Sequence, residues 1–195
     1  MLGRMIRLAV GLSLFASLTF CFPALPDAQT KRADAPQLAP YVPTPQDVVD
    51  RMLVLAGVQK SDFVVDLGCG DGRIPVTAAK TYGARGLGVD IDPVRIAEAN
   101  ANAKAAGVEH LVTFKLQDAL KTDVSSASVV TTYLLSASNL RLRPILTKTM
   151  KPGSRIITHN FSMGDWAPEK FDTFKDTDGR SRTIYLYRVD GRVRQ

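Results

Sequence analysis

Apolar positions fall in two rhythms along this chain, and their alternation outlines a fold. Val48, Val49, Met52, Leu53 and Ala56 recur at helical spacing. The run Thr44-Pro45-Gln46-Asp47 before them supplies a helix start, with Thr44 as the cap, Pro45 in the first turn and Asp47 at the positive end of the dipole. Short apolar runs of strand length follow at residues 63–65, 86–89, 112–116, 128–135 and 155–159. Between them the pattern predicts a helix beginning at Arg73, a second from Pro93 to about Ala106 that Gly107 stops, and a third over residues 140–150, interrupted or entered at Pro144. The C-terminal segments 171–175 and 183–189, on either side of Asp176-Thr177-Asp178-Gly179, predict an antiparallel hairpin. Strands alternating with helices predict an α/β fold: a doubly wound, mainly parallel seven-stranded sheet with a C-terminal antiparallel hairpin.

The first predicted strand opens into "VVDLGCGDGRIPV", residues 64–76, with Gly68, Gly70 and Gly72 bracketed by Asp66 and Asp71. Glycines at a strand-to-helix turn let a backbone approach a ligand closely. The spacing is G-x-G-x-G rather than the G-x-G-x-x-G of dinucleotide sites, and carboxylates beside a pyrophosphate cost Coulomb energy. A positively charged ligand reverses that sign. S-adenosyl-L-methionine (SAM) fits, because it carries a sulfonium and an ammonium and no phosphate. The ends of the first three strands carry Asp66, Asp90 and Asp118, where an open α/β sheet binds its ligands. Asp90 is placed to accept from two ribose hydroxyls, and Asp118 from an exocyclic amine.

Length and composition narrow the alternatives. With 195 residues and 45% hydrophobic content the chain accommodates one domain with a sizeable core. Its two cysteines, Cys21 and Cys69, stand in an apolar leader and in the glycine turn, which argues against a disulfide framework or a zinc site, and no metal is expected. The acidic neighbours of Cys69 disfavour a thiolate nucleophile. Arg4 and Arg7 before an apolar run at residues 8–22 have the layout of a signal peptide or an N-terminal membrane anchor over residues 1–28. An Ala-, Pro- and Gln-containing linker over 29–43 and a catalytic domain over 44–195 complete the expected organisation. That leader implies an exported, periplasmic or inner-membrane-anchored protein, with possible membrane association through the N-terminus. The net charge is +6, and Arg4, Arg7 and Asp27 together account for +1 of it, leaving +5. Much of the excess lies in Arg180, Arg182, Arg188, Arg192 and Arg194, without any nucleic-acid-binding motif, and no nucleic-acid partner is expected.

"VVDLGCGDGR", "GVDID" and "LQDA" resemble, in order and separation, the first three SAM-binding motifs of class I methyltransferases. More narrowly, "YVPTP" ahead of "DLGCGDGRI", with "MKPGSRIITHNFSMGDWAP" behind, is similar to bacterial relatives of the mitochondrial protein-lysine methyltransferases that act on the ATP synthase c subunit and the adenine nucleotide translocase. The resemblance implies SAM as cofactor, held by Asp66, Gly68, Cys69 and Gly70 at the methionine part, Asp90 and Ile91 at the ribose and ring edge, and Gln117 with Asp118 at adenine. Tyr41 and Thr44 would close over it. The acceptor it implies is a protein lysine, a membrane-protein lysine among them. A small-molecule methyltransferase and a non-catalytic SAM-binding protein that retains the fold stand as alternatives.

The fourth strand ends in Thr131-Thr132-Tyr133-Leu134, not in the Asn-Pro-Pro-Tyr or Asp-Pro-Pro-Tyr loop used by many base and glutamine N-methyltransferases. Tyr133 is placed to line the transfer site. His159 is the one conventional base candidate after the fifth strand, with Asn160 and Trp166 near where substrate should sit. A Tyr-x-x-x-Lys pair is absent, which with the glycine spacing disfavours an NAD-linked reductase.

Overall fold

A computed structural model describes residues 37–195. Helix α1 (Gln46–Ala56) precedes strand β1 (Phe63–Leu67), and then α2 (Arg73–Tyr82), β2 (Arg85–Asp90), α3 (Pro93–Ala105) and β3 (Val112–Leu116) alternate. A single 3₁₀ turn, Ala119–Lys121, leads to β4 (Val129–Thr132), α4 (Ser136–Thr149) and β5 (Arg155–His159). The chain ends in the hairpin of β6 (Lys170–Lys175) and β7 (Ser181–Arg188). The seven strands form one sheet in the order β3-β2-β1-β4-β5-β7-β6, with β1 to β5 parallel and β7 antiparallel to both neighbours. The order reverses between β1 and β4, so the carboxyl ends of β1, β2 and β4 meet at the switch point.

Strand residues alternate between two faces, and both faces are covered. Val64, Val129, Ile157 and Ile184 point to the side where α1 packs through Val48, Val49, Met52 and Leu53. Val65, Leu67, Val130 and Ile156 point to the other side, against Leu142 and Leu146 of α4 and Tyr187. Trp166 belongs to this second core, with its ring centre 4.9 Å from that of Tyr187. The expectation that Trp166 faces substrate is therefore corrected: its indole is part of the packing. Asn160 is likewise structural, adopting φ 59° and exchanging hydrogen bonds with the Thr183 backbone through both its own N–H and its Oδ1.

Two further local expectations change. Thr44 does not cap α1. The helix begins at Gln46 with Pro45 before it, and the Pro45 carbonyl accepts from Val48 and Val49 N–H. Thr44 is instead buried, with Oγ1 3.4 Å from His159 Nδ1. Nor does Pro144 interrupt or begin a helix, since α4 runs through it. The i−4 carbonyl that proline deprives of its helical donor belongs to Leu140, an exposed residue.

The expected leader, residues 1–28, lies outside the described residues, as do residues 29–36 of the linker. The expectation of an exported or inner-membrane-anchored protein is corrected. No helix among the described residues is long and apolar enough to cross a membrane.

Candidate functional site

The glycine turn is built by backbone hydrogen bonds that fasten β1 to β2. The N–H groups of Gly68 and Cys69 both donate to the Val89 carbonyl at 2.9 Å, and Gly72 N donates to Cys69 O at 2.9 Å. Gly70 N donates to Asp90 Oδ2 at 2.9 Å, so the carboxylate at the end of β2 braces the turn at the end of β1. Gly70 has φ 53°, and a Cβ there would stand 2.5 Å from Cε2 of Tyr41. Both the left-handed backbone and the close approach of that ring require glycine. Cys69 is buried, and its thiol is pushed well up, first by burial and then by Asp66 and Asp90, which leaves it a small packed residue rather than a nucleophile.

The four acidic groups around the turn hold different positions. Asp66 is buried and accepts from Thr131 Oγ1 at 2.6 Å. Burial raises its pKa to about 7, with the charges of Asp90 and Asp71 adding to the rise and the Thr131 hydrogen bond opposing it. Asp71 is half-buried, which works to raise its pKa, but the hydrogen bond and charge of Arg73 at 2.6 Å win and lower it. Arg73 also donates to the Thr44 carbonyl at 2.7 Å, tying the turn to the segment before α1. Asp90 uses Oδ1 for Asp92 N at 3.0 Å, beyond its contact to Gly70. Asp118 caps the 3₁₀ turn through Oδ1 and Leu120 N at 2.9 Å.

These groups line one cavity that opens to solvent, with about 940 Å³ of empty space when the solvent at its mouth is included. Tyr41, Asp66, Gly68, Cys69, Gly70, Asp90, Ile91, Gln117 and Asp118 all line it, and so does Tyr133. Gln117 turns its amide toward the 3₁₀ turn, where Nε2 donates to Thr122 Oγ1 at 3.2 Å. His159 is not a lining residue. It is fully buried behind Tyr133, with ring centroids 3.9 Å apart. Burial lowers its pKa to about 4, Arg182 adding to the drop and Asp176 opposing it, so the imidazole is neutral at physiological pH. With its Nε2 enclosed and without a hydrogen-bond partner, it has no path to a substrate proton.

Sequence reasoning missed the wall formed by residues 37–40, which line the cavity although their composition reads as linker. Leu38 packs against the core and its carbonyl accepts from Ser138 Oγ at 2.6 Å. Arg95 was also missed: its guanidinium lies 4.4 Å from the centre of the Tyr41 ring, on the helix that Asp92 caps. Only the tyrosine among these carried a signal in the sequence.

An acceptor-rich cavity of this kind fits SAM by its chemistry. Carboxylates oppose a cationic amino acid end, a diol and an exocyclic amine, and the glycine turn leaves room for backbone contact. No group of three or more His, Cys, Asp or Glu side chains among the described residues is placed to hold a metal.

Residues 66–170 match the model of the ANTKMT methyltransferase domain. A protein-lysine N-methyltransferase of Saccharolobus islandicus is 45% identical over 150 residues, which cover 76% of this chain and 92% of that protein. A lysine N-methyltransferase of Xenopus laevis, named for the ATP synthase c subunit, is 28% identical over 130 residues, or 67% of this chain and 57% of the relative. Among solved structures, an RNA methyltransferase from Salinibacter ruber in complex with S-adenosyl-L-homocysteine superposes with a TM-score of 0.73 at 47% identity, covering 79% of this chain and 97% of that one. These matches are to methyltransferase domains, and nothing in them indicates export or membrane anchoring. With the cavity, the fold and the matched segment in agreement, the chain belongs to the ANTKMT methyltransferase family and is a SAM-dependent methyltransferase.

Proposed function

We propose that the methyl acceptor is the side-chain amine of a protein lysine. The observation that carries this reading is the 45% identity, over nearly the whole length of that relative, to a protein named as a protein-lysine N-methyltransferase. The site is compatible with it. The elements from β1 to β7 follow one another without an inserted cap domain over the cavity, which leaves a mouth that a side chain on a folded or unfolded protein can enter. The narrower acceptor is a lysine on a membrane protein, in keeping with the substrate named for the Xenopus relative.

In this reading Asp66 faces the ammonium of SAM, the Gly68–Gly70 backbone its methionine part, Asp90 and Ile91 the ribose and ring edge, and Gln117 and Asp118 the adenine. Tyr41, held by Arg95 and packed on Gly70, covers the methionine part. The sulfonium supplies a methyl group already bound to a good leaving group. The chain's own contribution is to align the acceptor and exclude water around it. The acceptor nitrogen uses its lone pair to form the new N–C bond while the S–C electron pair leaves on sulfur, and the methylated nitrogen returns its proton to solvent. Neutral His159, enclosed behind Tyr133, serves packing in this scheme and not proton transfer.

The Salinibacter structure, described as an RNA methyltransferase at 47% identity, favours RNA as the second reading. One experiment separates the two: incubation of the protein with methyl-tritiated SAM and, in parallel, total protein and total RNA from the cell that makes it. Label is expected in the protein fraction, recovered as Nε-methyllysine after acid hydrolysis. Label confined to ribonuclease-sensitive material would replace the lysine reading with the RNA one.

A further inference from the structure

Residues 37–44 line the cavity but belong to no helix or strand, so contacts from other elements hold them in place. At one end Ser138 Oγ donates to the Leu38 carbonyl at 2.6 Å. At the other, Arg73 Nη1 donates to the Thr44 carbonyl at 2.7 Å. Between them lies Tyr41, its ring packed on Gly70 and its centre 4.4 Å from the Arg95 guanidinium. Pro43 and Pro45 have φ fixed by their rings, and each disfavours helical backbone at the residue before it, Val42 and Thr44. A hold on the Thr44 carbonyl is therefore passed back to Tyr41 through a stiff stretch of chain.

The glycine turn places Arg73 for this task. Arg73 is the first residue of α2, directly after Gly72, which has φ 75°. Its Nε donates to Asp71 Oδ1 at 2.9 Å and its Nη2 to Asp71 Oδ2 at 2.6 Å. This two-pronged pair fixes the plane of the guanidinium and leaves Nη1 directed at Thr44. The Asp71 carbonyl accepts in turn from Asn102 Nδ2 of α3 at 2.9 Å, so the carboxylate stands on a braced backbone. Asp71 and Arg73 both line the cavity, yet each carboxylate oxygen is already taken by the guanidinium, and the contacts proposed above for SAM give neither residue a task.

We propose that Arg73, oriented by Asp71, is a positioning residue for the cofactor: it fixes the Thr44 carbonyl and thereby holds the Tyr41 ring over the methionine part of SAM. It does this without touching SAM. The geometry calls for arginine rather than lysine, because a single ammonium does not present separate N–H groups in one fixed plane to Asp71 and to Thr44. The charge of Arg73 works in the opposite direction from its hydrogen bonds. SAM is a net cation, so a guanidinium beside the cavity opposes its binding, and the paired Asp71 carboxylate offsets that repulsion. Position and charge therefore predict effects of opposite sign when Arg73 is replaced by a neutral residue.

The inference rests on the reading of Tyr41 as the cover of the methionine part, and its test keeps the two apart. The full chain, Arg73→Gln, Tyr41→Ala and the double variant are titrated calorimetrically with SAM and with S-adenosyl-L-homocysteine, the folded fraction being checked by circular dichroism. Arg73→Gln is expected to weaken both ligands alike, by about tenfold, as the charged donor to Thr44 is lost. Loss of charge alone would tighten SAM and leave S-adenosyl-L-homocysteine, which is net neutral, unchanged. Tyr41→Ala is expected to weaken both ligands by at least about tenfold, and the double variant no further than Tyr41→Ala alone, since Arg73 acts through that ring. Should Arg73→Gln not fold, Asp71→Asn takes its place in the cycle. Its neutral amide holds the guanidinium less firmly, and both ligands should again weaken alike, whereas a loss confined to SAM would overturn the inference. Native or tighter SAM binding by Arg73→Gln, or losses that multiply in the double variant, would overturn it while leaving Tyr41 in the site. Native affinity in Tyr41→Ala would remove Tyr41 from the site, and the inference with it.

Discussion

Asp66 and His159 are both buried ionisable groups near one cavity, and their titrations oppose each other. The pKa of Asp66 is raised to about 7, so between the usual carboxylate range and pH 7 the folded chain holds a proton that the unfolded chain has lost. Its contribution to stability is complete at low pH and falls as pH rises through that window. The pKa of His159 is lowered to about 4, so from there to its ordinary 6.5 the unfolded chain binds more protons and stability rises with pH. The two offset each other between about pH 4 and 6.5. Cofactor-free native protein is expected to melt at a nearly constant temperature from pH 4.5 to 6.5. In Asp66→Asn only the histidine effect is left, and the melting temperature should climb over the same range. Parallel scans by circular dichroism check this, and a flat profile in the variant would contradict the placement of Asp66. Neither shift was legible in the sequence. A strand-end aspartate and a strand-end histidine read the same whether exposed or enclosed, and only packing against Thr131 in one case and Tyr133 in the other decides.

At the level of elements, the site is a set of strand ends held in register by backbone contacts. Asp90 connects β2 to the turn after β1 by accepting from Gly70 N, and connects to the start of α3 by accepting from Asp92 N. The sequence alone presents this residue as a ribose ligand outside the core, replaceable without consequence for the fold. Its two backbone contacts give it a second task. Asp90→Ala is therefore expected to lose SAM affinity by about 10- to 100-fold and stability by about 1–3 kcal/mol, because two N–H groups lose a charged acceptor. Calorimetry and urea unfolding on the same preparation measure both, and a folded variant with native SAM affinity would remove Asp90 from the site. The strands and helices themselves were readable, because β1 to β5 are short segments rich in aliphatic and β-branched residues, and α1, α2 and α3 are followed by Gly57, Gly83 and Gly107. Less was readable where tertiary contact overrides local preference. Thr44 has the chemistry of a cap but is drawn to His159, and residues 37–40 have the composition of a linker but are pinned by Ser138 and the core. The 3₁₀ turn after β3 is three residues long, too short for periodicity to reveal.

Across the whole molecule, the carboxyl edge of the sheet is acidic where β1, β2 and β3 end, at Asp66, Asp90 and Asp118. Such an edge suits a cofactor that brings positive charge to it. The net charge of +6 is consequently a poor guide to the site, because it averages a carboxylate-lined cavity with an arginine-rich hairpin and tail. Motif order along the chain proved the better guide, since each acidic motif ends a strand and the topology gathers those ends at one switch point. The measurement that tests this account most directly is calorimetric titration of the full chain with SAM, S-adenosyl-L-homocysteine and NAD, at pH 6 and pH 8 in buffers of different ionisation enthalpy. Both adenosyl ligands are expected to bind and NAD not to. At pH 6, binding should be weaker by up to about tenfold and should release a proton as Asp66 ionises against the ligand's ammonium. Binding of NAD with comparable affinity, or SAM binding that is indifferent to pH and releases no proton, would contradict it.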